Sequence, residues 1–161
     1  MSNDLEKIRS LADYQFGNGA GAILFPEGVT ISYSRRTGRI RYVHLGSKRL
    51  ATMRPTDGLF SLSIEGAQRI AKSEGSLECF VTVKDEVSEF IAKGGDVFAV
   101  HVLKTDDDVR ARAEVIVIDE KGRALAVGQA VLSSQEMRVF KRGVAVKIRR
   151  GVMKKVKYNS A

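Results

Sequence analysis

The sequence predicts an α+β protein in two parts. A small N-terminal unit sets helices against an antiparallel sheet, and a small closed or partly closed β-barrel follows. Three observations carry this. Apolar residues recur at helical spacing near the start and near residue 64. Short alternating runs punctuated by glycine fill the space between them. The second half crowds short strands together with isolated helical turns, the pattern of a small barrel. The halves meet near Ser73-Glu74-Gly75-Ser76, dividing the chain into residues 1–76, residues 77–153 and a basic tail at 154–161.

The first half opens with a helix, because Leu5, Ile8, Leu11 and Ala12 share one face and Gly17 supplies a stop. Strands are expected at Ala22–Phe25, Val29–Ser34, Arg39–Leu45 and Leu50–Arg54. In Val29–Ser34 the apolar residues alternate strictly, as in a half-buried strand. Ser34–Arg39 has turn chemistry and joins two strands as a hairpin with an arginine-rich tip. Ile64, Ala67, Ile70 and Ala71 mark a second helix.

The second half starts with a strand at Cys79–Val83. A short helix follows, capped by Asp85, with Val87, Phe90 and Ile91 on one face and Gly94 at its end. Strands are expected at Val97–Val102, Ala113–Ile118, Arg123–Val131 and Val144–Arg149, with a turn at Glu120-Lys121-Gly122. Ser133-Ser134-Gln135-Glu136 is a capping box, which would turn Met137 and Phe140 toward the core.

Composition narrows the function. The 161 residues are 43% apolar with no tryptophan, enough for a core built from aliphatic packing. No apolar run reaches the roughly 18 residues of a membrane span, and the polar, acidic start does not resemble a secretory signal. Cys79 is alone, so neither an internal disulfide nor a multi-cysteine zinc site is expected. A cytoplasmic protein without membrane attachment, metal or cofactor is the resulting expectation. Gly17–Gly21 follows a helix, the wrong order for a dinucleotide fingerprint. Asp106-Asp107-Asp108 lacks the alternating ligands of a calcium loop, and His44 and His101 sit in no nucleophile or base constellation. No catalytic residues are expected.

Charge supplies the positive evidence. The chain holds 27 Lys+Arg against 19 Asp+Glu, a net +8, with a pI near 9.8. Between Glu27 and Asp57 there is no acid, and Arg35, Arg36, Arg39, Arg41, Lys48, Arg49 and Arg54 are all basic. From Arg138 to the end there is again no acid and there are nine cations. Such segregation fits a polyanion-binding face, the alternative being solvated surface with tolerated clustering. Along Val144–Arg149, a period of two places Val144, Val146 and Ile148 on the core face. Ala145, Lys147 and Arg149 then point outward, joined by Arg142 and Arg150, and such a face suits a phosphate backbone. Lys93-Gly94-Gly95-Asp96 closes a helix and opens a strand. Its glycines permit positive φ and leave amides open to a ligand, unless they serve only as a helix cap. The hairpin arginines Arg35, Arg36, Arg39 and Arg41 have planar forks that match phosphate.

These residues carry a family resemblance. Lys93–Val97, Glu114–Val117, the turn at Gly122, Ala126–Ala130, Ser133–Met137 and Arg142–Arg149 follow one another as in the PUA domain. That RNA-binding pseudo-barrel is named for pseudouridine synthases and archaeosine transglycosylases. Asp13–Gly17, Ser34–Arg41 and Arg54–Gly58 resemble the region just before the PUA domain in archaeal tRNA-guanine transglycosylases. The resemblance implies a PUA-type β pseudo-barrel after a small N-terminal α/β-sheet domain. It implies RNA contacts from Lys93, Gly94, Gly95, Lys147 and Arg149, with Arg142 and Arg150 less directly matched. The expected partner is tRNA, read at its acceptor stem and 3′ end, or another structured RNA. The catalytic barrel and zinc cysteines of that family are missing from these residues, so a separately encoded catalytic transglycosylase subunit is a further expected partner. A ribosome- or translation-associated RNA-binding factor is the alternative.

Overall fold

The structure, a computed structural model, describes residues 2–73 and 77–153. The expected boundary at 74–76 and the basic tail at 154–161 lie outside the described residues. Helix α1 (Ser2–Phe16) buries Ile8, Ala12 and Phe16 at a spacing of four, the core face that the sequence marks.

Ala22–Phe25, expected as a strand, belongs to a second helix, α2 (Ala20–Leu24). A short apolar run does not distinguish the two by itself. Tertiary contacts decide: the Asp13 carboxylate accepts the Gly21 N–H at 2.7 Å, satisfying one of the orphan donors at the new helix start. Four antiparallel strands follow in chain order: β1 (Thr30–Tyr33), β2 (Ile40–Leu45), β3 (Lys48–Met53) and β4 (Phe60–Leu62). β4 is three residues long and shows no alternation in the sequence. Its Phe60 meets Phe25 edge-to-face at 5.2 Å and anchors the sheet to the helices. Helix α3 (Ile64–Ala71) is capped by Ser63, whose hydroxyl accepts the Gly66 N–H at 3.0 Å.

The second part is a nearly closed six-stranded barrel. It comprises β5 (Phe80–Val83), β6 (Val97–Phe98), β7 (Val102–Thr105), β8 (Glu114–Ile118), β9 (Ala124–Ala130) and β10 (Val144–Gly151). Their spatial order is β6-β10-β9-β8-β5-β7, antiparallel except for the β5/β8 pair. Two short helices close it, α4 (Ser88–Ala92) after a 3₁₀ turn at Asp85–Val87, and α5 (Ser134–Val139) with its capping box in place. The expected strand Val97–Val102 is broken by a 3₁₀ turn at Ala99–His101, so β6 and β7 lie on opposite edges of the sheet. Met137 is buried as expected. Phe140 and Phe90 are about half-exposed, because each short helix presents only a single turn to the core.

The two parts share a core. Strand β8 is buried on both faces, which explains its unbroken Val115–Ile118 run. Val115 and Val117 pack inside the barrel, whereas Ile116 and Val127 join the N-terminal cluster around Phe16, Leu50, Phe60 and Ile70.

Candidate nucleic-acid interface

Strand β10 was expected to alternate cleanly. It does so only in part. Ala145 is fully buried beside Val146, since the register with β6 shifts between Val144 and Val146. A second shift opens between Ile148 and Arg150 against β9, leaving Arg149 as the extra residue of a bulge. Arg149 keeps the outer side of β10, shared with Lys147, Gln129 and Glu114, which here meets the N-terminal sheet at Leu62 while 41% of the arginine side chain stays exposed. Its Nη1 donates to Glu114 Oε1 at 3.0 Å, and its Nη2 donates to Glu114 Oε2 and, at 2.7 Å, to the Leu62 carbonyl. Glu114 Oε2 accepts the Leu62 N–H at 2.8 Å. The Glu114 side chain has no exposure, and Arg54 Nη1 stands 3.9 Å from its Oε1. Both backbone groups of Leu62, on the edge strand β4, are thus satisfied by a charged pair from the barrel.

The other cations of β10 remain at the surface. Lys147 is exposed, with Nζ 3.9 Å from Asp96 Oδ2, and Asp96 Oδ1 accepts the Ile148 N–H at 2.9 Å. Arg150 is exposed and enters a groove of about 770 Å³ across the seam between sheet and barrel. Lys48 and Arg49 at the start of β3 line the same groove, with Thr52, Ser61, Arg149 and one acid, Glu65. Residues from both acid-free runs thereby meet in one concave surface. Lys48 and Arg49 stand out in the sequence only as members of the first basic run; the β2–β3 turn brings them to β10.

The Lys93–Asp96 segment does lie beside β10. Gly151 sits against the Ala92 carbonyl, where a Cβ would come within 2.2 Å, and Met153 N–H donates to that carbonyl at 2.7 Å. Gly94 adopts φ +108°. The amides are not open to a ligand: Gly94 N–H donates to Ile91 O at 2.9 Å and Gly95 N–H to Phe90 O at 3.0 Å. What the glycines provide is close approach, with the half-exposed Phe90 ring lying over Gly95. Lys93 is exposed and pairs with Glu89 at 2.9 Å, which holds that carboxyl below its ordinary range. Arg142 is exposed in the bend before β10 and does not line the seam groove.

The arginine hairpin is built as expected. Ser34 N–H donates to Arg39 O and Gly38 N–H to Ser34 O, each at 2.8 Å. Arg36, Arg39 and Arg41 line a second cleft of about 400 Å³ with Arg54, Pro55 and Gly58 from the β3–β4 turn. Arg35 is exposed outside it. Among the described residues, no carboxylate lies within ion-pair distance of Arg35, Arg36, Arg39 or Arg41. Arg41 and Arg49 stand 5.4 Å and 5.0 Å from the Tyr42 ring centroid. A hydrogen bond with Arg41, then the charges of Arg41 and Arg49, hold the Tyr42 phenol below its ordinary value against a small opposing effect of burial.

The remaining candidates serve the fold. Burial pushes the Cys79 thiol far up, so it is an inert core residue. Asp106 accepts the Phe80 N–H at 3.0 Å, and Asp107 pairs with Arg138. Among the described residues no three His, Cys, Asp or Glu side chains are grouped to hold a metal, and no helix is long and apolar enough to cross a membrane.

Residues 6–75 match the patch-forming domain C2 of tRNA-guanine transglycosylase, and residues 80–152 match the PUA domain. The chain is 42% identical over 149 residues to the tRNA-guanine(15) transglycosylase of Methanothermobacter thermautotrophicus, covering 92% of this chain and 23% of that protein. It is 44% identical over 150 residues to the enzyme of that name from Pyrococcus abyssi, covering 93% and 25%. The chain therefore spans about a quarter of the length of these relatives, the C-terminal quarter. The fold is also that of a hypothetical protein from Pyrococcus horikoshii, at TM-score 0.76 and 22% identity, covering 96% of this chain and 93% of the other. A conserved PUA domain protein from Thermoplasma acidophilum is similar at TM-score 0.69 and 21% identity, with the same coverages.

Proposed function

We propose that this chain, which matches the C2 domain of tRNA-guanine transglycosylases over residues 6–75 and the PUA domain over residues 80–152, binds tRNA at the acceptor stem and 3′ end. In this reading it is a non-catalytic, accessory component of archaeosine tRNA modification. The observation that supports it is the seam groove, where Lys48 and Arg49 from the C2-type sheet meet Arg150 from the last barrel strand. Concave basic surface lined by hydroxyl side chains is what a phosphate backbone requires. In this reading Lys147 and the Lys93-Gly94-Gly95 segment add contacts on the barrel, Arg142 one more apart from the groove, and Arg35, Arg36, Arg39 and Arg41 a second grip on the sheet. Base exchange would be performed by a catalytic transglycosylase unit outside these 161 residues, in this proposal a separately encoded subunit.

Binding of the purified protein to total tRNA, with and without the 3′-terminal CCA, across a salt series tests the reading. The expected result is salt-sensitive binding that weakens when CCA is removed. Equal binding to both forms, or co-sedimentation with ribosomal subunits without affinity for free tRNA, would replace it with a ribosome-associated role.

A further inference from the structure

We infer that Glu114 and Arg149 form a positioning clamp that holds the C2-type sheet and the PUA barrel in the one alignment in which their basic surfaces act as a single RNA site. The inference rests on the tRNA-binding reading above and assigns Arg149 a role other than phosphate ligand. Four observations carry it. Arg149 stands at a bulge of β10, on the outer side that Glu114, Gln129 and Lys147 share across the sheet. Its guanidinium grips a fully buried carboxylate with two nitrogens and the Leu62 carbonyl with one of them. The same carboxylate holds the Leu62 N–H, so sheet and barrel are joined through both polar groups of one residue. Immediately beside this joint, Lys48 and Arg49 face Arg150 across the groove.

The shared apolar core keeps the two parts together, and its non-directional contacts leave part of their alignment to directed bonds. A bidentate ion pair with directed hydrogen bonds sets that part. Two weak basic surfaces held rigidly in register bind one polyanion far more tightly than the same surfaces free to rotate, because the second contact becomes intramolecular. Arg54 extends the clamp toward the hairpin cleft, since it lines that cleft and also approaches Glu114.

The test turns on a reversal of sign. Glu114→Ala and the near-isosteric Glu114→Gln each remove a negative charge from a chain of net +8, which by simple electrostatics tightens binding to RNA. The clamp predicts weaker binding, by about tenfold for Glu114→Ala. It also predicts a salt slope of log K lower by at least two phosphate contacts, about 1.4–1.8, as one surface disengages. Arg149→Lys keeps the cation and loses the fork, so it should weaken binding as Glu114→Gln does. A phosphate-ligand role would leave it close to wild type. Residual dipolar couplings report the alignment without RNA, with one alignment tensor in the wild type and two in Glu114→Ala. Folded variants that bind as tightly as wild type and retain one tensor would overturn the clamp. A wild-type protein that binds no tRNA would overturn the functional reading instead, leaving the tensors to decide the clamp.

Discussion

The hairpin tip and the last barrel strand look alike in the sequence, both arginine-rich within acid-free runs, and the fold treats them differently. At the hairpin, Arg36 and Arg39 stand exposed on a cleft with no carboxylate in ion-pair reach among the described residues. On β10, Arg149 is held by Glu114, from a strand 35 residues earlier, and Lys147 is approached by Asp96. An acid-free run along the chain is therefore not an acid-free surface in space. Strand pairing imports the missing acids on β10, whereas the hairpin tip meets the β3–β4 turn, whose carboxylate, Asp57, is held by Arg54. The hairpin cations are available for a ligand as they stand, and those of β10 are divided between holding the fold and facing solvent.

Removing Arg149 gives the largest separation between the two regions. Arg149→Ala leaves the buried Glu114 carboxylate and the Leu62 carbonyl short of a partner, which should cost about 2 kcal/mol of stability, the range for hydrogen bonds to a charged group, because the guanidinium itself is partly exposed. Urea denaturation followed by circular dichroism measures it, and loss of a single cooperative transition is expected as sheet and barrel uncouple. A change below about 0.5 kcal/mol would place Arg149 with the surface cations.

The hairpin should behave in the opposite way. Arg36→Glu with Arg39→Glu is expected to leave the midpoint of thermal unfolding unchanged and to lower the salt slope of tRNA binding by about 1.4–1.8, two phosphate contacts. Unaltered binding in the folded double variant would mean that the hairpin is solvated surface. Lys147→Ala lies between these cases. Its ammonium is exposed and only loosely approached by Asp96, so stability should change by less than about 0.5 kcal/mol and the slope by about one contact. Filter binding across a salt series distinguishes these outcomes.

How far the sequence anticipates this follows the same division. Helices α1 and α3, the Ser133–Glu136 capping box and the hairpin are legible because each rests on spacing within a few residues. Strand β4 and helix α2 are not, since three residues show no period and a five-residue apolar run fits either element. The clamp is invisible for a further reason. Glu114 reads as a polar residue within the expected strand Ala113–Ile118, and only the β8 register places it under both Arg149 and Leu62. The bulge at Arg149 likewise leaves no mark in an alternation of Val, Lys, Ile and Arg.

The smallest expected effect sharpens the comparison from within the hairpin region. Arg54 lines the hairpin cleft, yet its fork is taken by Asp57, with Nε 3.1 Å from Oδ1 and Nη2 3.0 Å from Oδ2. The Leu59 N–H above all, with Arg54 added, holds the Asp57 carboxyl below its ordinary value against the opposing effect of burial. Because the folded value is depressed, this pair stabilises the turn above the ordinary carboxylate range, and its contribution is lost as pH falls through the depressed value, below about pH 4. At neutral pH, Asp57→Asn should therefore free Arg54 at small cost, within the 0.2–1 kcal/mol of about one exposed pair. If Arg54 then joins Arg36 and Arg39 on phosphate, the salt slope of tRNA binding rises by up to about 0.9. An unchanged slope would show that Glu114, and not Asp57, keeps Arg54 from the ligand, extending the clamp to the edge of the hairpin cleft.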